Sequence, residues 1–217
     1  MRWTQTGNVA ALSAHLASRA ARSHRIAFLL AGFFDPADLL FLDLETMGLF
    51  AGCPIVVAGL ARWDGEATVV RQLVATSPDG EASLVGSAIE AVERCSVLVT
   101  FNGRAFDWPF LCQRAAFHGR VIREDPLQLD LLPFSRRTWG GTTTDCRLDT
   151  LAREILGVNR GEDLPGGLVP AFYQEYLGDP VANVGLLAGI VRHNRHDMEQ
   201  MVALYGRLLP RMRGGGT

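Results

Sequence analysis

Leu39-Leu40-Phe41-Leu42-Asp43-Leu44-Glu45-Thr46 is an apolar run that ends in two carboxylates. No charge precedes Asp43 within the run and Gly48 follows it, a pattern that reads as a buried central strand over Leu39–Leu44. Side chains alternate along a strand, so Asp43 and Glu45 project from one face. Two ionised carboxylates on a buried strand repel each other and lose their water. A bound divalent cation relieves both problems, and hard oxygen ligands select magnesium or manganese rather than zinc. A strand end that turns both side chains to solvent is the competing reading, which Asp-x-Glu alone does not displace.

Two further stretches repeat the pattern of an acid at a strand end or on a helix. Val97-Leu98-Val99-Thr100-Phe101 is β-branched and apolar, hence a second buried strand. Asn102-Gly103 supplies a turn, and Asp107 opens a helical pattern through Phe110, Leu111, Arg114 and Phe117. Asp107 is placed either to cap that helix or to hold a ligand at the junction after a central strand. In the long helical pattern from about Val184 to Leu209, His193 and Asp197 stand four apart and share a face with Met201 and Leu204. Each signal is weak alone. Asp43, Glu45, Asp107 and Asp197 together, in this order, are the acidic set that a two-metal nuclease site needs.

With these residues in view, the chain resembles a DEDD-type 3′→5′ exonuclease of the ribonuclease H-like superfamily. It is most similar to the YprB-like bacterial branch and, more distantly, to the exonuclease domains of B-family DNA polymerases. Asp130-Leu131-Leu132, Ser135-Arg136-Arg137-Thr138-Trp139, Cys146-Arg147-Leu148-Asp149-Thr150-Leu151 and the segment from Gly157 to Gly166 carry the likeness further. It covers roughly residues 37 to 209. The resemblance implies two divalent cations, Mg2+ or Mn2+, with Asp43 bridging both. Glu45 and Asp197 would bind the metal on the water side, and Asp107 would hold the other mainly through water. It also implies that the backbone around Thr46 grips the terminal nucleotide, that Leu49 wedges against its base, and that Asn102 orients the strand. One feature departs from the family. Histidine-type members place the His five residues before the last Asp, and tyrosine-type members place a Tyr four before it; here His193 takes the four-residue spacing. His193 is then either the general base or a residue that positions water. His118 and His196 read as surface or structural.

The remaining composition agrees with one catalytic domain. With 217 residues, 48% of them hydrophobic, the chain can bury a full core without disulfides or structural metals. Cys53, Cys95, Cys112 and Cys146 form no Cys-x-x-Cys pair, so they read as buried free thiols in a reducing cytoplasm. Met1 to Ser23 lacks a signal-peptide pattern, and the apolar run from Ile26 to Phe34 is too short to span a bilayer. A net charge of −2 rules out a strongly basic nucleic-acid coat, although bound metals would neutralise an acidic site. All 21 basic residues are Arg, and Arg136, Arg137, Arg147, Arg153 and Arg160 could line a phosphate groove or simply a solvated face.

The expected fold is α/β: a mixed five-stranded sheet flanked by helices, which the resemblance makes ribonuclease H-like. Its strands are Leu39–Leu44, Ile55–Trp63, Ala67–Ala75, Val97–Phe101 and Leu127–Leu131, the second and third joined as a hairpin at Asp64-Gly65. Residues 9 to 24 and 82 to 94 read as helices. The expected division is residues 1–36 as a helical extension packed on the domain, 37–212 as the exonuclease domain and 213–217 as a tail. The expected activity is metal-dependent 3′→5′ hydrolysis of terminal phosphodiesters in single-stranded nucleic acid, DNA favoured and RNA open. A non-catalytic nucleic-acid-binding module and an endonuclease cutting RNA–DNA hybrids are the alternatives.

Overall fold

The computed structural model describes residues 34–50, 52–161 and 163–212. The expected helix over 9–24, the packing of the N-terminal extension up to residue 33 and the 213–217 tail lie outside the described residues. Five strands form one sheet in the order β3-β2-β1-β4-β5: β1 Leu39–Thr46, β2 Ile55–Trp63, β3 Thr68–Val74, β4 Val97–Thr100 and β5 Leu127–Asp130. The β1–β2 and β2–β3 pairs are antiparallel, whereas β1–β4 and β4–β5 are parallel. This is the expected mixed sheet. β1 runs two residues beyond its predicted end, so Glu45 and Thr46 belong to the strand.

The alternation along β1 divides the core in two. Leu40, Leu42 and Leu44 face a cluster with Leu84, Val85, Ile89 and Leu111. The last four come from α1 (Glu81–Val92) and α2 (Asp107–Phe117), which cover that face. Leu39 and Phe41 point the other way, toward Met198, Met201, Tyr205 and Leu208 of α6 (Val184–Met212). Met201 and Leu208 are fully buried, and burying a side chain of this size contributes about 1.5–3 kcal/mol. Between β5 and α6 the chain forms α3 (Leu131–Trp139), α4 (Leu148–Leu151), a wide turn over Ala152–Leu156 and α5 (Val169–Gly178).

Period-two alternation then dictates where the two acids of β1 go. Asp43 and Glu45 continue the series of Leu39 and Phe41, and so lie on the α6 face. Gly59 of β2 pairs directly with Asp43. A Cβ at Gly59 would collide with Asn194 Oδ1 and lie 2.7 Å from Met198 Cγ. Glycine is needed there for clearance, since α6 crosses the sheet against bare backbone at the level of the acids.

Candidate active site

The site is assembled at the carboxyl ends of β1 and β4, the crevice where open α/β sheets bind their ligands. β1 pairs with β4 only as far as Phe41 and Val99, then runs on to Thr46. The exposed edge is met by the first residue of α2. Asp107 Oδ1 accepts the Leu44 N–H at 3.0 Å, so this carboxylate caps the neighbouring strand rather than only its own helix. Gly103 makes the approach possible, since a Cβ there would lie 2.6 Å from Asp107 Oδ2 and 2.5 Å from Thr100 Cβ. Asn102, at φ 64°, supplies the left-handed turn. That turn is held by Asp130, which accepts from the N–H of Asn102 at 2.8 Å, Leu132 at 3.0 Å and Arg104 at 3.3 Å.

From the α6 side, Asn194 donates to Asp43 Oδ2 at 2.8 Å. One donor atom each from Glu45, His193 and Asp197 lies within 4.8 Å of the other two. Asp43 and Asp197 line a cleft of about 550 Å3 together with Asn102, Arg136, Cys146 and Arg147. On the far side of Asp197 and Leu148 a second hollow of about 500 Å3 includes Arg153, Arg160, Asp163 and His193. All four expected carboxylates and His193 thus converge. Of the arginines considered for a phosphate groove, Arg136 and Arg147 line the first cavity and Arg153 and Arg160 the second; Arg137 lines neither. Arg160 is already engaged: it pairs with Asp197 and Gln200 and reaches Asp163 Oδ2 at 3.1 Å.

Arg160 compensates only part of the negative charge of the site. Burial raises the Asp43 carboxyl well above the usual range, and Asp197, Glu45 and Asp107 push it further. Burial, followed by Asp197, Asp107 and Asp163, pushes Glu45 up to about 9. Asp107 rises to about 7, chiefly through burial, with Asp130 and Asp197 adding to the rise and the Leu44 N–H opposing it. Such a cluster favours protons or cations over its own ionised form.

The residues expected at the terminal nucleotide differ in enclosure. Thr46 is buried and its hydroxyl donates to Gly48 O at 2.7 Å. Leu49 is 86% exposed and Phe50, to which the sequence pattern assigns no role, is 72% exposed on the loop after β1. The sequence pattern likewise assigns no role to Asn194, marks Asp130 and Asp163 only as part of the family likeness, and offers Arg160 for phosphate rather than for Asp197. Their roles depend on contacts made across 28 to 151 residues of chain, which no local spacing records.

His118 is structural as expected: its Nε2 lies 2.9 Å from Glu81 Oε2. His196 Nδ1 sits 3.4 Å from Asp163 Oδ2. The four cysteines are free as expected, but only Cys53 is buried; Cys95, Cys112 and Cys146 are half-buried. No helix among the described residues is long and apolar enough to cross a membrane.

A model of the RNase_H superfamily matches residues 40–209 of this chain. The uncharacterized protein YprB of Bacillus subtilis (strain 168) is 34% identical over 176 residues, 79% of this chain and 42% of that protein. The chain therefore spans less than half of that relative's length. A 30-residue stretch is 60% identical to the catalytic polypeptide of DNA polymerase epsilon from Schizosaccharomyces pombe, covering 14% of this chain and 1% of that protein. In fold, the chain is similar to the family B DNA polymerase of the hyperthermophilic archaeon Pyrobaculum calidifontis. The TM-score is 0.61 at 21% identity, over 79% of this chain and 24% of the polymerase. The matched span runs from inside β1 well into α6 and contains Asp43, Glu45, Asp107 and Asp197; this chain belongs to the RNase H superfamily.

Proposed function

We propose that the protein is a metal-dependent 3′→5′ exonuclease that removes terminal nucleotides from single-stranded nucleic acid, DNA in preference to RNA. The observation that carries the reading is the meeting of Asp43, Glu45, Asp107 and Asp197 in one largely buried site, where burial and the neighbouring acids raise the carboxyls of Asp43, Glu45 and Asp107 and Arg160 answers Asp197. A donor set of carboxylate oxygens suits Mg2+ or Mn2+. Held by these four residues, two such ions would polarise the phosphodiester, activate a water and stabilise the departing 3′ oxygen.

The chain's own contribution is positioning. Asn194 fixes one oxygen of Asp43, and the Leu44 N–H fixes one oxygen of Asp107, so neither carboxylate can swing away. Arg160 does the same for Asp197. Arg136 and Arg147 border the cleft that holds Asp43 and are suited to backbone phosphates. Leu49 and Phe50 offer apolar surface to the last base, Thr46 its backbone and Asn102 its amide. The Nε2 of His193 can accept a proton from water or give its lone pair to a cation.

The test is a comparison of end-labelled single-stranded DNA, duplex DNA, RNA and a closed single-stranded circle, each with Mg2+ or Mn2+. Stepwise release of mononucleotides from the 3′ end, with the circle intact, is the expected result. Cleavage of the circle would replace the reading with an endonuclease. No cleavage of any substrate with either metal would leave a binding module.

A further inference from the structure

We propose that His193 is a metal ligand through Nε2, forming with Glu45 and Asp197 a mixed nitrogen–oxygen cation site in which Asp163 holds the ring. The inference rests on the metal-dependent reading above and changes the part that His193 plays in it. His193 Nδ1 lies 3.0 Å from Asp163 Oδ2. With the ring neutral and its proton on Nδ1, Asp163 accepts that proton and the Nε2 lone pair is free for a cation. That lone pair faces another acceptor, since Nε2 is 3.4 Å from Asp197 Oδ2. Two acceptors side by side, with Glu45 also in reach, want a cation between them. Carboxylate, imidazole and metal in series is the arrangement by which proteins orient histidine ligands.

Two further features agree. Arg160 occupies Asp197 Oδ1, which leaves Oδ2 as the oxygen turned toward His193. On the other side, Gly166 keeps the space beside Nε2 clear, for a Cβ there would come within 3.3 Å of it. The four-residue spacing now has a reason. Residues four apart on a helix lie about 40° apart around its axis, whereas five apart they diverge by about 140°. Two helical ligands of one ion commonly use the four-residue spacing. A nitrogen ligand also shifts selectivity, because magnesium holds to oxygen ligands and water more strictly than manganese does.

The experiment is electron spin echo spectroscopy on the untagged protein loaded with Mn2+ and no substrate. Nitrogen modulation of the manganese signal is expected, retained in His196→Ala and lost in His193→Ala. Should His193→Ala not fold, His196→Ala protein grown with 15N-histidine carries the test: the 14N pattern must give way to that of 15N, and a 14N pattern that persists would overturn the ligand role of His193. By calorimetry, Asp163→Asn should weaken Mn2+ binding about 10- to 100-fold, with a smaller effect on Mg2+. Mn2+ binding at full strength with no nitrogen modulation would overturn the ligand role of His193 and leave the nuclease reading standing. Failure to bind Mn2+ at all would remove both.

Discussion

Glu81 and Glu45 are buried almost equally, 2% and 7% exposed, yet their carboxyls are driven in opposite directions. At Glu81 burial pulls upward but is outweighed. Arg114 binds both oxygens at 2.7 and 2.5 Å, the Ile55 N–H donates at 2.8 Å, and His118 completes the set, so the group sits below the usual range. At Glu45 nothing outweighs burial, and its charged neighbours are acids. One cluster is complete as folded and serves to lock α1 and α2 to the start of β2. The other is complete only with something added. The contrast separates a carboxylate kept for the fold from one kept for a ligand, even where exposure does not.

The sharpest way to break the contrast is Asp43→Asn. Turnover should fall about a thousandfold or more, because the substituted oxygen is a poor metal ligand. The metal-free protein should melt at a higher temperature, since one of four mutually repelling acids is gone. Full metal-dependent activity in this variant would mean that the site is elsewhere. Arg114→Leu should behave in the reverse sense. It strands Glu81 and removes the guanidinium from the Phe117 ring, 4.2 Å away, so unfolding free energy should drop by roughly 3–5 kcal/mol. The kcat of the molecules still folded should stay near wild type. A stability loss under about 1 kcal/mol in denaturant titrations would mean that the Glu81 network is dispensable.

The pH dependence of stability sharpens the same comparison. Glu45 and Asp107 have raised carboxyls, so their stabilising contribution is whole below about pH 4, the unfolded range. It is lost as pH climbs through about 7 for Asp107 and about 9 for Glu45. Glu81 has the opposite sign: its contribution is present above the unfolded range and is lost as pH falls below it. The metal-free protein should therefore weaken on the alkaline side, and saturating Mn2+ should abolish that alkaline slope while leaving the acid limb in place. An alkaline slope indifferent to Mn2+ would sever these groups from the metal. The smallest effect is expected at the surface. Leu49→Ala with Phe50→Ala should alter stability by no more than about 0.5 kcal/mol. Affinity for single-stranded oligonucleotide should fall roughly fivefold or more as stacking surface is lost. Unchanged affinity in a fluorescence titration would remove these side chains from the substrate path.

The fold was legible where a pattern is local. The apolar run before Asp43, the β-branched run before Asn102 and the hairpin at Asp64-Gly65 each announce a strand, and the long period from Val184 announces α6. The four acids were legible because each stands at an element end or on a helix face whose position the pattern gives. What holds them was not legible. Asp107 read as either a helix cap or a ligand position, and neither reading foresaw that it would accept the Leu44 N–H of β1. Asp163 and Arg160 come from irregular chain that folds back onto α6, and their partners lie 30 to 40 residues away. Gly103 looked like half of a turn, yet its clearance for Asp107 is the stronger reason for its being glycine.

Gly59 carries the same lesson into heredity. It bears no charge and no side chain, yet the closeness of α6 to Asp43 depends on its emptiness. Among descendants of this sequence, position 59 should be as intolerant of change as Asp43 itself, and a substitution there should silence the site while leaving every acid in the gene intact.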